Sequence, residues 1–391
     1  MRPESFLFFF ALIAAWVGHA CIWTTLLNSV YARPYPKTIL KPWRHFTGFV
    51  ILAFPLLIAA TFEMSVLPSE VLANAGPWGI SVLAYSLIGL FFGAILFPVI
   101  TVRRLRRKPS AVLLSESTQT LDLGEELGAK AIGDGKGRRA ARLPFNCVFR
   151  VDFTELALAL PNLPPEWDGL TILHVSDVHY HGTPSRAFHE RVLAEIARRW
   201  PNPDLVCLTG DIVDTDAHHK WIVPLLGQLR GTDGTYAILG NHDRNHEPER
   251  IRAELTAAGY EVLGNGWREA TIRGIPCVLV GHEGPWFSPP PDLAAAPVDC
   301  FRLGLSHTPD NFYWGQANRG GLMLCGHVHG GQIRLPLIGS IFVPSMYGRR
   351  FDMGVFEGNG TAMVVTRGLS GKEPLRFRCH PQVIRIRLKR Q

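Results

Sequence analysis

Three apolar runs without a charged side chain lie in the N-terminal part of the chain, and they leave that part few folds to choose from. Phe6 to Leu27 has His19 as its one basic group, Phe46 to Phe62 is shorter and holds Pro55, and Trp78 to Val102 carries no charge. Inside a bilayer no water is present to satisfy free backbone groups, so a crossing segment is helical and needs roughly 20 apolar residues. Each run is therefore predicted to be a transmembrane helix. A cleaved leader is the alternative for the first run. That run lacks a good small-x-small cleavage site, two more spans follow it, and no twin-arginine signal is present.

Loop charge orients the spans, because Lys and Arg are retained on the cytoplasmic side. Loop 28–45 carries Arg33, Lys37, Lys41 and Arg44, loop 63–77 carries no Lys or Arg, and the third run ends in Arg103, Arg104, Arg106, Arg107 and Lys108. The expected arrangement is a multi-pass inner-membrane protein with its N-terminus outside and everything after Lys108 in the cytoplasm. The basic cluster sets topology first. Attraction to anionic headgroups, about 1 kcal/mol per charge, is its second reading.

The formal charge of +7 sits in this region. Residues 1–108 hold ten Lys/Arg against three Glu, which leaves thirty of each sign in 109–391. A general basic face for nucleic acid is thereby excluded. The seven cysteines are odd in number, widely spaced and free of any CxxC pair, which fits a reducing compartment and neither a disulfide framework nor a zinc ribbon.

Residues 109–144 read as a linker: Ser, Thr and Glu runs, then Gly-Asp-Gly-Lys-Gly-Arg-Arg, with weak periodicity. From Phe145 the pattern is that of a folded domain, 145–391. Cys147–Phe153, Leu156–Leu160, Thr171–Ser176, 205–210 and Thr235–Leu239 read as strands. Helices are expected from Thr183 as cap and Pro184 as first residue, from His218 to Leu229, and over Pro248–Ala258. After Gly259 helices become sparse. Strands are expected at Glu261–Leu263, Glu269–Arg273, Pro276–Gly281, Arg302–Ser306, Leu322–Cys325, Ala362–Thr366 and Val383–Leu388. The fold class is α/β, a four-layer sandwich in which this second half forms a second mixed sheet facing the first, with helices outside.

Polar residues gather where these strands stop. In order they are Asp177-x-His179, Gly210-Asp211-x-x-Asp214, Gly240-Asn241-His242-Asp243, His307 and Gly326-His327-x-His329. Taken singly, each is a solvated turn at the end of a strand. Together they offer carboxylates, an amide oxygen and imidazoles, and no thiolate, a donor set suited to Mn²⁺, Fe²⁺ or Zn²⁺. Seven such ligands exceed one tetrahedral site and match two metals sharing a carboxylate. His282, His181 and His246 stand near motifs, but packing or solvation is the commoner fate of such residues. His218 and His219 read as a solvated helix start. The Trp286–Pro291 loop reads as a packed rim, with acyl-chain or membrane contact as its second reading.

The five motifs resemble the calcineurin-like metallophosphoesterase superfamily. The stretch from Gly326 to Ile333 and the tail from Arg367 through Arg376-Phe377 to Pro381 are similar to its membrane-associated bacterial branch. The resemblance covers about Leu156 to Leu388. It implies one metal on Asp177, His179, Asp211 and His329 and another on Asp211, Asn241, His307 and His327. It further implies phosphoester or pyrophosphate hydrolysis by metal-activated water. His242 would act at the leaving group, and Asp214 and Asp243 would orient imidazoles. Relatives include UDP-diacylglucosamine pyrophosphate hydrolases, so a lipid-linked substrate is one expectation. A broad phosphodiesterase of envelope components is the other, and a non-catalytic metal-binding membrane scaffold is a third.

Overall fold

The computed structural model describes residues 3–61 and 76–391. The chain divides into two compact units, Met1–Lys108 and Pro109–Gln391. Most of the loop 63–77, and Phe62, lie outside the described residues.

The first unit holds three helices long and apolar enough to cross a membrane, α1 (Pro3–Tyr31), α2 (Lys37–Thr61) and α3 (Pro77–Leu105). Helix α3 passes through a π-helical turn at Phe92–Leu96. Helices α1 and α3 meet at small residues. A Cβ on Gly18 would stand 1.8 Å from the Gly89 carbonyl oxygen, so the two backbones touch as only glycine allows. His19 is satisfied by the Tyr85 hydroxyl at 2.7 Å and the Val50 carbonyl at 3.1 Å, and it stacks on Phe54. That accounts for an imidazole in an otherwise apolar span.

The second unit is built on strands β1 (Leu113–Asp122), β2 (Arg150–Leu160), β3 (Thr171–Val175), β4 (Leu205–Thr209), β5 (Gly234–Ile238), β6 (Glu261–Val262), β7 (Gly266–Ile272), β8 (Ile275–His282), β9 (Phe301–Ser306), β10 (Leu322–Cys325), β11 (Arg334–Leu335), β12 (Gly339–Ser340), β13 (Gly354–Gly358), β14 (Thr361–Val365) and β15 (Gln382–Arg390). One mixed sheet has the order β1-β2-β15-β3-β4-β5-β6 and the other β13-β14-β10-β9-β8-β7, while β11 and β12 form a separate hairpin. Leu158, Ile172, Leu205, Leu279, Leu303, Leu324, Val364 and Ile386 interlock between the two large sheets as one buried core. The outer face of the first sheet is covered by helices α4 (Arg186–Arg199) and α5 (Pro248–Ala257) through Phe188, Val192, Ile196, Ile251 and Leu255. Among the described residues one short α-helix, Phe312–Ala317, 3-10 turns and irregular chain cover the second sheet, so the fourth layer is thin.

Several expectations are corrected. Residues 109–144 are not a linker: β1 pairs antiparallel with β2 from Leu113 to Asp122, and Asp122 then caps a helical turn through the Glu125 amide at 3.1 Å. Its residues are mostly exposed, so this edge strand lacks an apolar alternation to read. The two strands expected at 147–160 are one, β2. Strands β6 and β15 belong to the first sheet, with β15 inserted parallel to β2 and antiparallel to β3. Helix α4 starts two residues late, its cap being Ser185, which accepts from the Phe188 amide at 3.1 Å. In place of a helix over 218–229 there is a 3-10 turn, Asp216–Trp221, and a π turn, Ile222–Leu226. Pro224 removes a donor there. His219 is buried against Glu254 at 2.7 Å and is not solvated.

Candidate metal centre

Strands β3, β4, β5, β9 and β10 end on one side of the sandwich, and the loops that follow them carry the five motifs. These turns are stitched together by backbone. The Asp177 amide donates to Gly210 O at 2.9 Å, the His179 amide to Asp211 O at 3.0 Å, and the Ser370 amide to Asp177 O at 2.8 Å. Asp177, His179, Asp211, His327 and His329 all have positive φ, between 43° and 71°. Non-glycine residues rarely adopt that conformation, and such strain collects where a fold holds side chains for a task. Glycine is required beside them. A Cβ on Gly240 would stand 2.2 Å from Asp211 Oδ1, and one on Gly326 would stand 2.4 Å from Asp177 Oδ2.

Two groups of donor atoms result, and they meet at Asp211. Asp177, His179, Asp211 and His329 converge with donor atoms within 4.8 Å of one another, as do Asp211, His307 and His327. His179 Nε2 lies 3.5 Å from Asp211 Oδ2 and 3.3 Å from His329 Nε2. On the other side, His307 Nε2 lies 3.4 Å from Asp211 Oδ1 and 3.0 Å from Asn241 Oδ1. The structure thus brings all seven residues singled out as ligands into one cluster, buried except at the partly exposed Asn241 and His329. Asp211 Oδ2 is buried without a hydrogen-bond partner. A carboxylate oxygen left so is costly unless a cation takes the place of water, so the residues present fit divalent metal.

The imidazoles are held by the nitrogen they do not turn to the cluster. His307 Nδ1 meets Thr209 O at 2.7 Å and His327 Nε2 meets Pro344 O at 3.0 Å. Asp214 holds His179 Nδ1 at 3.0 Å and also His242 Nδ1. A carboxylate or carbonyl on the far nitrogen fixes ring orientation and tautomer. Burial alone would depress His179, but Asp214, Asp211 and Asp177 outweigh it and raise it to about 9. His307 is likewise raised to about 9, against burial, by Asp211 and Asp177. Burial lowers His327 to about 3. His242 stands edge-on to His179, ring centres 4.7 Å apart, and is more exposed than the imidazoles of the two groups.

Among the described residues Asp243 hydrogen-bonds to no imidazole, contrary to expectation. Its carboxylate accepts the amides of Gly240, Asp211, Ile212 and Val213 at 2.8–3.2 Å, joining the loops after β4 and β5. Burial and Asp211 push its pKa up to about 6. His282 is a packed ring, edge-on to Trp314 at 4.6 Å and lowered to about 4 by burial. His181 bonds Gly371 O at 3.2 Å, and His246 pairs with Asp216 at 2.8 Å. The Trp286 ring lies 4.6 Å from His327 and 5.5 Å from His307, so the Trp286 loop walls the cluster.

Two supports went unread in the sequence. Glu283 accepts the Leu239 amide and a two-point contact from Arg252, bracing the turn after β5. Arg376, fully buried, donates to the carbonyls of Arg367, Gly368 and Ser370 and reaches His329 Nδ1 at 3.4 Å. The tail motif pointed to Arg376 without giving it a task.

The calcineurin-like phosphoesterase family matches residues 170–331, the stretch from the start of β3 to the motif after β10. The uncharacterized metallophosphoesterase YkuE of Bacillus subtilis is 30% identical over 67% of this chain and 92% of its own length. The chain belongs to the calcineurin-like phosphoesterase family. As a member it is a metal-dependent phosphoesterase. Phosphodiesterase YaeI of Escherichia coli is 33% identical over 56% of this chain and 81% of its own. A more distant relative, at 22% over 60% of this chain and 88% of its own, is the UDP-2,3-diacylglucosamine pyrophosphatase LpxG of Chlamydia muridarum.

Proposed function

We propose that this phosphoesterase is a membrane-anchored, binuclear phosphodiesterase whose substrate carries a lipid. The observation that supports two cations best is Asp211, whose two oxygens face separate donor groups, one of them without a hydrogen-bond partner. Asp177, His179, Asp211 and His329 would hold one cation, and Asp211, Asn241, His307 and His327 the other, as Mn²⁺, Fe²⁺ or Zn²⁺. Bound there, such cations supply Lewis acidity and lower the pKa of water from 15.7 toward about 7.

The chain's own residues do the rest. His242 is held by Asp214 through Nδ1, which would leave Nε2 for the substrate. The carboxylate fixes the orientation of the ring, which would hand a proton to the leaving oxygen. The apolar helices support a substrate met at a lipid surface, and the likeness to LpxG supports a lipid-linked pyrophosphate.

The test is hydrolysis by the purified full-length protein with Mn²⁺. Bis(4-nitrophenyl) phosphate, 4-nitrophenyl phosphate and UDP-2,3-diacylglucosamine are compared, before and after chelation. Metal-dependent cleavage of the diester and of the lipid pyrophosphate is expected. Tight metal binding with no turnover of any of the three would leave a scaffold as the function.

A further inference from the structure

The hairpin β11–β12 is folded inside out. Its register pairs Arg334 with Ser340 and Leu335 with Gly339. Arg334 Nη1 and Ser340 Oγ both turn inward onto Asp352, at 2.7 and 2.6 Å, and that carboxylate is buried. The apolar side chains are left to face out. Leu337 at the turn is 76% exposed, and Leu335 and Ile341 beside it are exposed as well. A two-stranded element with one face to water places its residues the other way round. The apolar surface continues on either side of the hairpin at Ile333, Met346 and Tyr347. Single apolar residues on a surface need no explanation, but six within fifteen positions mark a surface that meets something other than water. This surface is held in place. Ile333 bridges to Phe377, the Met346 amide donates to Asp310 at 2.7 Å, and Arg349 donates to Ile338 O at 3.0 Å.

The tether decides what lies nearest to it. Ala111 follows Leu105, the last residue of α3, by six positions, which is about 21 Å of chain at most. The Ala111 and Val112 amides donate to the carboxylate of Glu357 on β13, at 2.8 and 3.2 Å. Asp352, on which the hairpin is rooted, precedes Glu357 by five positions, about 18 Å at most. A membrane crossed by α3 is therefore a surface that the hairpin always has within reach. Charge agrees with this partner. Arg350 and Arg378 are both exposed. Arg350 follows the residue that holds Ile338 O, and Arg378 follows Phe377, whose carbonyl accepts the Arg334 amide at 3.0 Å. Cations flanking an apolar tip suit anionic headgroups lying over acyl chains.

We infer that Leu335, Leu337 and Ile341 insert into the lipid bilayer, so that this hairpin docks the second unit on the membrane its own helices cross. Docking brings the metal centre to the headgroup layer. His329 lies four positions before Ile333, and Pro344 O, just past the hairpin, holds His327 at 3.0 Å. Tyr347 adds an amphipathic ring of the kind that collects at membrane surfaces. The docking goes beyond the reading of the substrate, since it holds whichever phosphoester is cleaved.

The test uses full-length protein in nanodiscs of phosphatidylcholine and phosphatidylglycerol, with the partly exposed Cys21 and Cys300 replaced by Ser. An environment-sensitive fluorophore is attached through Leu337→Cys or, as control, through Glu249→Cys at an exposed position of α5. Lipids carrying a nitroxide near the top of the acyl chain should quench the fluorophore at position 337 at least twice as strongly as the control, and its emission should shift to the blue. With the fluorophore attached through Met346→Cys, the pair Leu335→Glu and Leu337→Glu should cut quenching by at least half. Hydrolysis of bis(4-nitrophenyl) phosphate with Mn²⁺ in detergent should meanwhile stay within twofold of the parent protein. Equal quenching at positions 337 and 249 would overturn the inference. Shielding of position 337 only in nanodiscs that hold two copies of the protein would make the hairpin a contact between copies, and would also overturn it. Loss of diester hydrolysis in detergent along with the quenching would make the hairpin a support of the metal centre instead of a membrane anchor. Strong quenching at position 337 in a parent protein that cleaves no diester would uphold docking and sink the phosphodiesterase reading.

Discussion

Asp211 accepts the His242 amide on Oδ1 at 2.8 Å while its Oδ2 is buried and accepts no hydrogen bond. An amide at this position keeps the shape but gives up the charge and half of the acceptor capacity. Asp211→Asn is therefore expected to lower turnover about 100-fold or more, the scale on which charged groups at such centres act, and to reduce bound metal by elemental analysis. A variant with full metal content and near-normal rate would refute the shared role. The neighbouring imidazoles add a pH dependence. With His179 and His307 raised to about 9 in the metal-free fold, both are protonated at neutral pH and neutralise the carboxylates. A group raised in this way stabilises the fold fully below the unfolded value of about 6.5, and that stability is lost as pH rises through about 9. Cation binding needs those nitrogens free, so loading at pH 7 should release protons. Calorimetry in two buffers of different ionisation heat checks this, and identical heats in both would rule it out.

At the scale of elements, the strand ends were the legible part. Short apolar runs closed by a polar motif, with a glycine before it after β4, β5 and β10, mark β3, β4, β5 and β10 because these strands are buried on both faces and need continuous hydrophobic sequence. What was not legible depends on pairing across long separations. Strand β15 shows the same alternation wherever it is docked, so nothing local places it between β2 and β3. Strand β1 is polar on both faces because it is an edge. Asp243 is a third case. Its motif position suggests chemistry, but its four contacts are backbone amides on two loops. Asp243→Ala would leave buried amides without an acceptor, at about 1–3 kcal/mol each before relaxation. A fall of several degrees in thermal midpoint is expected, with activity lost alongside. His242→Ala, which removes a partly exposed ring, should leave that midpoint within a degree or two while turnover falls about 100-fold or more. If the two variants behave alike in the melt, the separation of roles is wrong.

At the scale of the molecule, composition shifts marked where the spans stop, since the third run ends in five basic residues and the compact units divide right after them, at Lys108 and Pro109. The start of the catalytic unit was misplaced because β1 has no apolar face to announce it. Orientation is argued first from charge. Nine Lys/Arg lie in the first loop and after the third span, against none in 63–77, and the inverted arrangement would carry all nine across the membrane. It would also take the free thiols of Cys207 and Cys325 into an oxidising space. A fluorescent protein that folds only in the cytoplasm should therefore glow when fused after Gln391, and alkaline phosphatase at the same point should be inactive. Protease added to intact spheroplasts should leave 109–391 uncut. Active phosphatase with a dark fluorescent fusion would reverse the orientation. It would also move the search for substrate from cytoplasmic lipid precursors to phosphodiesters of the envelope.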